Sequence, residues 1–563
     1  MTTTTDAADE LAAPLDLLMT SSAIGVGRRM LPNTSWTRLA LSLAKQPRTV
    51  ADRVGAFGQE LVTIARGHSD RLPVKGDRRF DDPGWQGNPL FKRSMQAYLA
   101  ATVTVDALFA DADLDWRDAE WMRFVLDNVM DGVSPSNNPL LSPVAWKALV
   151  DSGGASAVRG LRHFLSDMAA APRVPSMVDS DAFTLGDTVA TTSGSVVLRT
   201  EMFELIQYAP QTEQVRTVPL LMVPPVINKF YIMDIAPDRS MVEYFVRQGQ
   251  QVFAISWRNP TDRHRNWGFD EYGQAIIDAL DVVERITGSE RTHLQASCSG
   301  GIIAAMTAAH LTAIDQAHRL ASLTLMVTVL DQSHAGFAAA AIDEESANIA
   351  IALSAKKGYL DGRALAEIFA WLRPNDLVWR YWVNNYLQGR APAPFDVLFW
   401  NADTTRMTAA LHRDMVSMGV HNSLTTPNQV SMLGTPVDLS QVTVDTYVVA
   451  GIADHISPWQ ACYRSARLLG SKDLRFVLST SGHIAALVNP PGNPKASYRI
   501  GAVDDADPGA WLDTTAENPG SWWPNFVEWL AERGGPERDA PQSLGTADLA
   551  PVDSAPGTYV LEH

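Results

Sequence analysis

At 563 residues, with 46% hydrophobic and 19% charged side chains, the chain has room for two or more domains and the composition of a globular protein with a sizeable core. Lys and Arg number 46 against 63 Asp and Glu, and the resulting net charge of −17 repels phosphate backbones and anionic lipid. General nucleic-acid binding is therefore excluded as a function, whereas a local basic pocket for an anionic substrate is not. The two cysteines, Cys298 and Cys462, are too few for a disulfide scaffold and point to a reducing compartment. Acidic residues precede the first apolar stretch of MTTTTDAADELAAPLDLLM, the wrong charge order for a secretory signal. No run of about 18 uninterrupted apolar residues occurs to form a membrane span, so a cytoplasmic protein is expected.

Up to about residue 180 the pattern is helical. Stretches such as Thr49–Arg66 and Phe91–Phe109 repeat apolar residues every three or four positions, with Pro and Gly breaks between them. The Pro-, Ser- and Asp-rich PRVPSMVDSDAFTLGDT (172–188) reads as a domain edge, giving a helical N-terminal domain over 1–180 and a catalytic domain over 181–563. Ser195–Arg199 and Met202–Tyr208 look like an antiparallel pair. Buried strands are expected at 218–223, 251–257, 293–297, 320–330, 445–451 and 474–480. Helical patterns at Glu271–Ile286, Gly301–Leu311 and Trp459–Leu469 separate several of them. Near-continuous apolar strands alternating with helices predict a mostly parallel sheet covered on both faces, an α/β architecture. More than a hundred residues lie between Leu330 and Asp445. They contain LAEIFAWLRPNDLVWRYWVNNYL (365–387) and are read as a cap inserted at about 331–440, with an extra packing layer as the alternative. The tail, 534–563, is rich in Pro, Gly, Ala and Ser and is expected to be irregular.

The segment HLQASCSGGII (293–303) carries the chemistry. An apolar strand runs into a cluster of small residues and a helix follows at once, the setting of a nucleophile elbow with its usual Gly-x-Ser-x-Gly pattern. The sharp turn needs small residues two before and two after the nucleophile. Here these are Ala296 and Gly300, and Cys298 stands where serine is usual. The elbow puts Cys298 at a helix N-terminus, where unpaired N–H groups favour a thiolate. The N–H of Ser299 is then an oxyanion donor, and a second donor is expected from the loop VPPVINK (223–229), with Val226 as the candidate.

The fold's order of nucleophile, acid and histidine is met downstream. One predicted strand ends at Ile-Ala-Asp454-His455 and the next at Ser481-Gly482-His483, so the candidate catalytic set is Cys298, Asp454 and His483 in an α/β-hydrolase fold. Asp331 also ends a strand and is a rival acid. His455 reads as a neighbour of the site, His310 as part of a helix, and Cys462 as core packing. No Cys/His cluster has metal-ligand spacing and no Gly-rich loop matches a phosphate or dinucleotide fingerprint, so neither metal nor cofactor is expected. A cysteine attacking a thioester exchanges one thioester for another and keeps the acyl group activated for an alcohol. Such a nucleophile suits a transferase working on acyl thioesters, although hydrolases of this fold also use cysteine.

Long segments across the chain after about residue 85 carry a family likeness. They are PLLMVPPVINKFYIMDI (219–235), VFAISWRNP (252–260), ASCSGG (296–301), LRPNDLVWRYWVNNYL (372–387), PFDVLFWNADTTRM (394–407), ADHISPW (453–459), SGHIAALVNPPGNPK (481–495) and GSWWPNFVEWL (520–530). In these the chain resembles the polyhydroxyalkanoate synthases, and in its length the single-subunit kind, with Ala296 departing from the family's usual glycine. The resemblance implies polymerisation of hydroxyacyl-coenzyme A, with coenzyme A as part of the substrate and a product rather than a cofactor. It also implies Cys298 as carrier of the growing chain and His483 as the base that deprotonates it. Asp454 would either orient His483 or help activate the monomer hydroxyl. Further implications are a homodimer, attachment to the polyester granule surface, and a cap whose Trp371, Trp379, Trp382 and Trp400 line or cover an apolar channel. Plain core packing is the alternative for each tryptophan. Monomer length stays open. The competing functions are a cysteine hydrolase of the same fold and a non-catalytic granule coat.

Overall fold

Six of the apolar runs form the parallel centre of an eleven-stranded sheet in the computed structural model, which describes residues 34–169, 171–333 and 344–563. In chain order the strands are β1 (Gly194–Arg199), β2 (Phe203–Tyr208), β3 (Leu220–Val223), β4 (Val252–Trp257), β5 (Thr292–Ser297), β6 (Leu320–Met326), β7 (Thr446–Gly451), β8 (Leu474–Ser479), β9 (Ser497–Ala502), β10 (Glu517–Pro519) and β11 (Asp553–Ser554). They lie side by side as β10-β9-β8-β7-β6-β5-β3-β4-β2-β1-β11. Neighbours from β8 to β4 pair parallel, while β9, β10, β2, β1 and β11 add antiparallel edges. All residues of β3 to β7 are buried, which is why β3, β4, β6 and β7 read as largely apolar runs rather than as alternating ones, while β5 buries the polar Thr292, His293, Gln295 and Ser297 as well.

The chain order reverses around β3. It proceeds from β3 to β4 on one side and then returns to place β5 on the other. Loops leaving the carboxyl ends of two such strands diverge and open a crevice, the usual ligand position in a sheet of this kind. Val223, the last residue of β3, is in register with Ala296 of β5. The loop after β3 and the elbow after β5 therefore leave the sheet side by side.

Helix Cys298–Ala313 follows β5 directly, and its first fourteen residues are all buried. A helix apolar all round belongs in a core, and its run of Ala and Gly lets it lie close to its neighbours. The amphipathic helix Phe269–Thr287 is closed at both ends by local chemistry. Glu271 Oε2 accepts the Gly268 N–H at 2.7 Å, and Gly288 takes the left-handed conformation (φ 66°) past its last turn.

Two compact units are present. The sheet unit contains the described residues of 180–363 together with 396–563. The helical unit contains the described residues of 34–179 together with 364–395. Residues 364–395, from within the span read as a cap, thus group with the N-terminal helices. Residues 1–33 of the expected N-terminal domain and 334–343 of the expected cap lie outside the described residues.

The helical unit includes Pro47–Ala65, Pro89–Ala110, Pro143–Asp151 and Ala155–Ala169. Three of these begin on proline, whose missing N–H costs nothing in a first turn. Trp371, Trp379, Trp382 and Tyr386 form a row of edge-on rings 5.2–6.1 Å apart, and Phe164 packs against its end at 5.4 Å from Tyr386. In the sheet unit Trp400 is buried and donates its indole N–H to the Lys229 carbonyl at 2.7 Å.

The tail is mostly without regular structure, as expected, yet it is tied down. Glu204 of β2 has no exposed surface, and it accepts from the Thr558 N–H (2.9 Å), the Thr558 hydroxyl (2.9 Å), the Tyr559 N–H (3.0 Å) and Arg199 (2.6 Å). Lys229 then donates to the Glu562 carbonyl at 2.6 Å, and the Arg258 guanidinium lies 4.1 Å from the centre of the Tyr559 ring. Removing the carboxylate would leave several buried donors without an acceptor. Glu204→Ala should therefore lower the unfolding free energy by about 3 kcal/mol, measured by urea denaturation. A loss below about 0.5 kcal/mol would show that the tail contributes nothing to the fold.

Candidate active site

Cys298 sits at the end of β5, on the first residue of the central helix, with φ at 51°. A left-handed backbone is costly for a side chain with a β-carbon, and here it lifts the thiol out of the strand-to-helix turn. Only glycine fits two positions later, because a β-carbon on Gly300 would lie 2.3 Å from the Pro224 carbonyl oxygen. One on Gly301 would lie 2.0 Å from the Thr328 hydroxyl. Ala296, two before the cysteine, is accommodated as a fully buried strand residue. Cys298 itself is 6% exposed.

The loop after β3 is held from beneath. Thr405 donates its N–H to the Ile227 carbonyl (3.4 Å) and its hydroxyl to the Val226 carbonyl (3.4 Å), while Asn228 pairs with Thr404 as an isolated antiparallel bridge. With Trp400 and the tail on Lys229, this fixes where the loop N–H groups point. The Val226 N–H does not point into open space. It donates to the Ser299 hydroxyl oxygen at 3.1 Å, and both residues are buried.

The acid and histidine come from the ends of β7 and β8. Asp454 Oδ1 accepts the N–H groups of Ile456 (2.8 Å) and Ser457 (2.9 Å), which leaves Oδ2 to hold His483 Nδ1 at 2.8 Å. The Asp454 side chain has no exposed surface and that of His483 is 9% exposed. Burial by itself pulls the imidazole pKa down, but the Asp454 charge and hydrogen bond, joined by a hydrogen bond with Cys298, outweigh it and raise the pKa to about 10. His483 thus holds a proton at neutral pH and lies between a carboxylate and a thiol.

The other candidates sit elsewhere or are engaged otherwise. The Asp331 carboxylate accepts from Ser333 (2.6 and 2.9 Å) and Asn422 (3.0 Å) and faces Arg464 at 3.7 Å. Burial would raise its pKa, but these partners hold it below the usual carboxylate range, so it caps a loop rather than orienting a histidine. His310 pairs with the Thr435 hydroxyl at 2.8 Å. His455 is half-buried next to Asp454. Cys462 is fully buried, with its sulfur 3.7 Å from the Ser457 carbonyl. Burial first, then the negative charges of Asp454 and Cys298, push its thiol pKa well up and keep it protonated. Among the described residues there is no group of three or more His, Cys, Asp or Glu able to hold a metal ion, and no helix long and apolar enough to cross a membrane. Of the residues that fix the Val226 loop, sequence reasoning missed Thr405 and the Glu562 region and read Trp400 only as lining or covering a channel or as core packing. They lie more than 150 residues away along the chain, where no local pattern links them to the loop.

A family profile described as "Poly-beta-hydroxybutyrate polymerase (PhaC) N-terminus" matches residues 76–245, and one described as "alpha/beta hydrolase fold" matches 229–490. Over 540 residues the chain is 44% identical to poly(3-hydroxyalkanoate) polymerase 1 of Ectopseudomonas oleovorans, covering 96% of each chain. It is 45% identical to polymerase 2 of the same organism over 92% of each. Against the poly(3-hydroxyalkanoate) polymerase subunit PhaC of Cupriavidus necator the identity is 39%, over 88% of this chain and 85% of that one. The chain belongs to the poly(3-hydroxyalkanoate) polymerase family of acyltransferases and is built on the α/β-hydrolase fold.

Proposed function

We propose that this enzyme polymerises (R)-3-hydroxyacyl-coenzyme A into polyester and releases coenzyme A through a thioester on Cys298. The observation that carries the reading is a thiol on a strained elbow beside a histidine that a fully buried Asp454 keeps protonated. In the first step the Cys298 sulfur attacks the thioester carbonyl, and the C=O electron pair moves onto oxygen. Collapse breaks the bond to the coenzyme A sulfur, which leaves with the proton from His483. The 3-hydroxyl of a second acyl group then attacks the carbonyl of the Cys298 thioester, its proton passes to His483, the acyl–sulfur bond breaks with the electron pair returning to Cys298, and an ester bond replaces the thioester. Asp454 spends three hydrogen bonds inside the protein, which favours the orienting role over contact with the monomer hydroxyl. No resident cofactor or metal enters these steps.

Work at a granule surface, by a homodimer in the cytoplasm, fits the exposed apolar side chains of the helical unit, among them Leu90, Leu140, Val150, Val158, Leu161 and Leu165. The deciding experiment is incubation with 3-hydroxyacyl-coenzyme A of several chain lengths. Free coenzyme A together with turbidity is expected, and the length giving the fastest release identifies the monomer preference. Stoichiometric soluble 3-hydroxy acid without polymer would make the protein a hydrolase. Granule binding with no coenzyme A release would make it a coat.

A further inference from the structure

The Ser299 side chain is engaged in an unexpected way. Only its backbone N–H is required by the elbow, yet its hydroxyl oxygen accepts the Val226 N–H at 3.1 Å. That N–H is the donor the loop after β3 would otherwise present to an oxyanion. The hydroxyl has no exposed surface, and among the described residues its own proton is donated to no acceptor. A buried donor without a partner is unfavourable, and such groups in native proteins point to a function or a ligand. The missing acceptor has to lie within reach of a side chain that directly follows the nucleophile, in the first turn of the same helix.

We propose that the Ser299 hydroxyl is itself a catalytic donor to the oxyanion, with the Val226 N–H holding and polarising it instead of contacting the substrate. The inference rests on the acyl-transfer reading above. When the Cys298 sulfur bonds to the thioester carbon, the displaced C=O electron pair collects on oxygen and accepts from the Ser299 N–H and the Ser299 O–H. As the coenzyme A sulfur departs, the pair returns to form the carbonyl and both donors are released. Accepting from Val226 strengthens the hydroxyl as a donor, since hydrogen bonds in a chain polarise one another. Thr405 and Trp400, which fix the Val226 loop, then position the donor through one further link.

The contrary role is a plug, in which Ser299 merely blocks Val226. Single-turnover release of coenzyme A from 3-hydroxybutyryl-coenzyme A separates the two, run beside alkylation of Cys298 by iodoacetamide. Alkylation needs the same thiolate but forms no oxyanion. Ser299→Ala should slow acylation about 100-fold while alkylation stays within twofold of wild type, and Ser299→Thr, which keeps the hydroxyl, should recover most of the rate. Thermal melts of both variants report folding. Acylation by Ser299→Ala at or above the wild-type rate would establish the plug and overturn the inference. A parallel loss of alkylation would also overturn it, by placing the effect on the thiol. A wild-type enzyme that acylates no thiol sinks the acyl-transfer reading and this inference with it, whereas normal wild-type acylation with an unaffected Ser299→Ala sinks this inference alone.

Discussion

Cys298→Ala should abolish polymer formation, lowering coenzyme A release by about 10⁵-fold or more while leaving the fold intact. Loss of the nucleophile in an enzyme that works through a covalent intermediate removes the whole route, and what persists is binding and oxyanion stabilisation with nothing to attack. The fold should tolerate the change because alanine is smaller and relieves rather than adds crowding at a strained turn (φ 51°). Cys298→Ser should also be slow. A hydroxyl is far harder to ionise than a thiol, and the oxoester it would form is a poorer acyl donor to the next monomer. Wild-type and variant proteins incubated with 3-hydroxybutyryl-coenzyme A, with release followed by a thiol reagent, give the measurement. Substantial release by Cys298→Ala would move the nucleophile elsewhere. Cys462 is a poor substitute, because burial and two nearby negative charges keep its thiol protonated.

Asp454→Asn should reduce turnover by about 10³- to 10⁴-fold, the cost of losing the carboxylate that orients the imidazole and stabilises its charged form. The variant carries a second signature in pH dependence. The folded-state pKa of His483 is raised from about 6.5 to about 10, so the pair contributes its full stability below pH 6.5 and loses it as pH rises through about 10. Wild type should therefore exceed Asp454→Asn in unfolding free energy by about 3 kcal/mol at neutral pH, with the gap closing towards pH 10. Urea denaturation at pH 7 and pH 10 measures it. A gap that stays constant or widens with pH would mean that His483 is neutral in the folded protein. A variant retaining more than a tenth of wild-type turnover would remove Asp454 from the mechanism.

How much was legible in the chain depended on how each feature is encoded. β3 to β8 showed plainly because strands covered on both faces are mostly apolar, and the observed bounds differ from the expected runs by one or two residues at most places. The exception is β6, which ends at Met326 while the apolar run continues to Leu330, since Val327 turns out of the strand with φ 45°. β9 and β10 went unnoticed. SYRIGA is half-exposed along nearly its whole length, and ENP is too short and polar to show a period. The tail misled in another way. Its composition correctly signals irregular backbone but says nothing of Glu204, a single buried carboxylate more than 350 residues upstream that anchors it.

At the site the division is similar. The elbow is a local device, set by small residues at fixed offsets around one cysteine, so HLQASCSGGII announces it without any tertiary information. The order of strand ends likewise named Asp454 and His483, because the topology of the sheet is written in the succession of apolar runs. Whether a carboxylate faces a histidine at 2.8 Å or a neighbouring arginine at 3.7 Å is not written there, and it separated Asp454 from Asp331. Nor does any pattern reveal that the Val226 N–H meets a serine hydroxyl, because that contact joins residues 73 positions apart through the register of β3 against β5. By itself the sequence determined most strands of the sheet, the turn that carries the thiol and the residue types of the chemistry, all of which depend on spacing within a dozen residues. Tertiary structure decided the charge state of the histidine, the partner of each carboxylate and the donors around the nascent oxyanion. Those depend on burial and on distances of a few ångströms between strand ends, which only the packed sheet brings together.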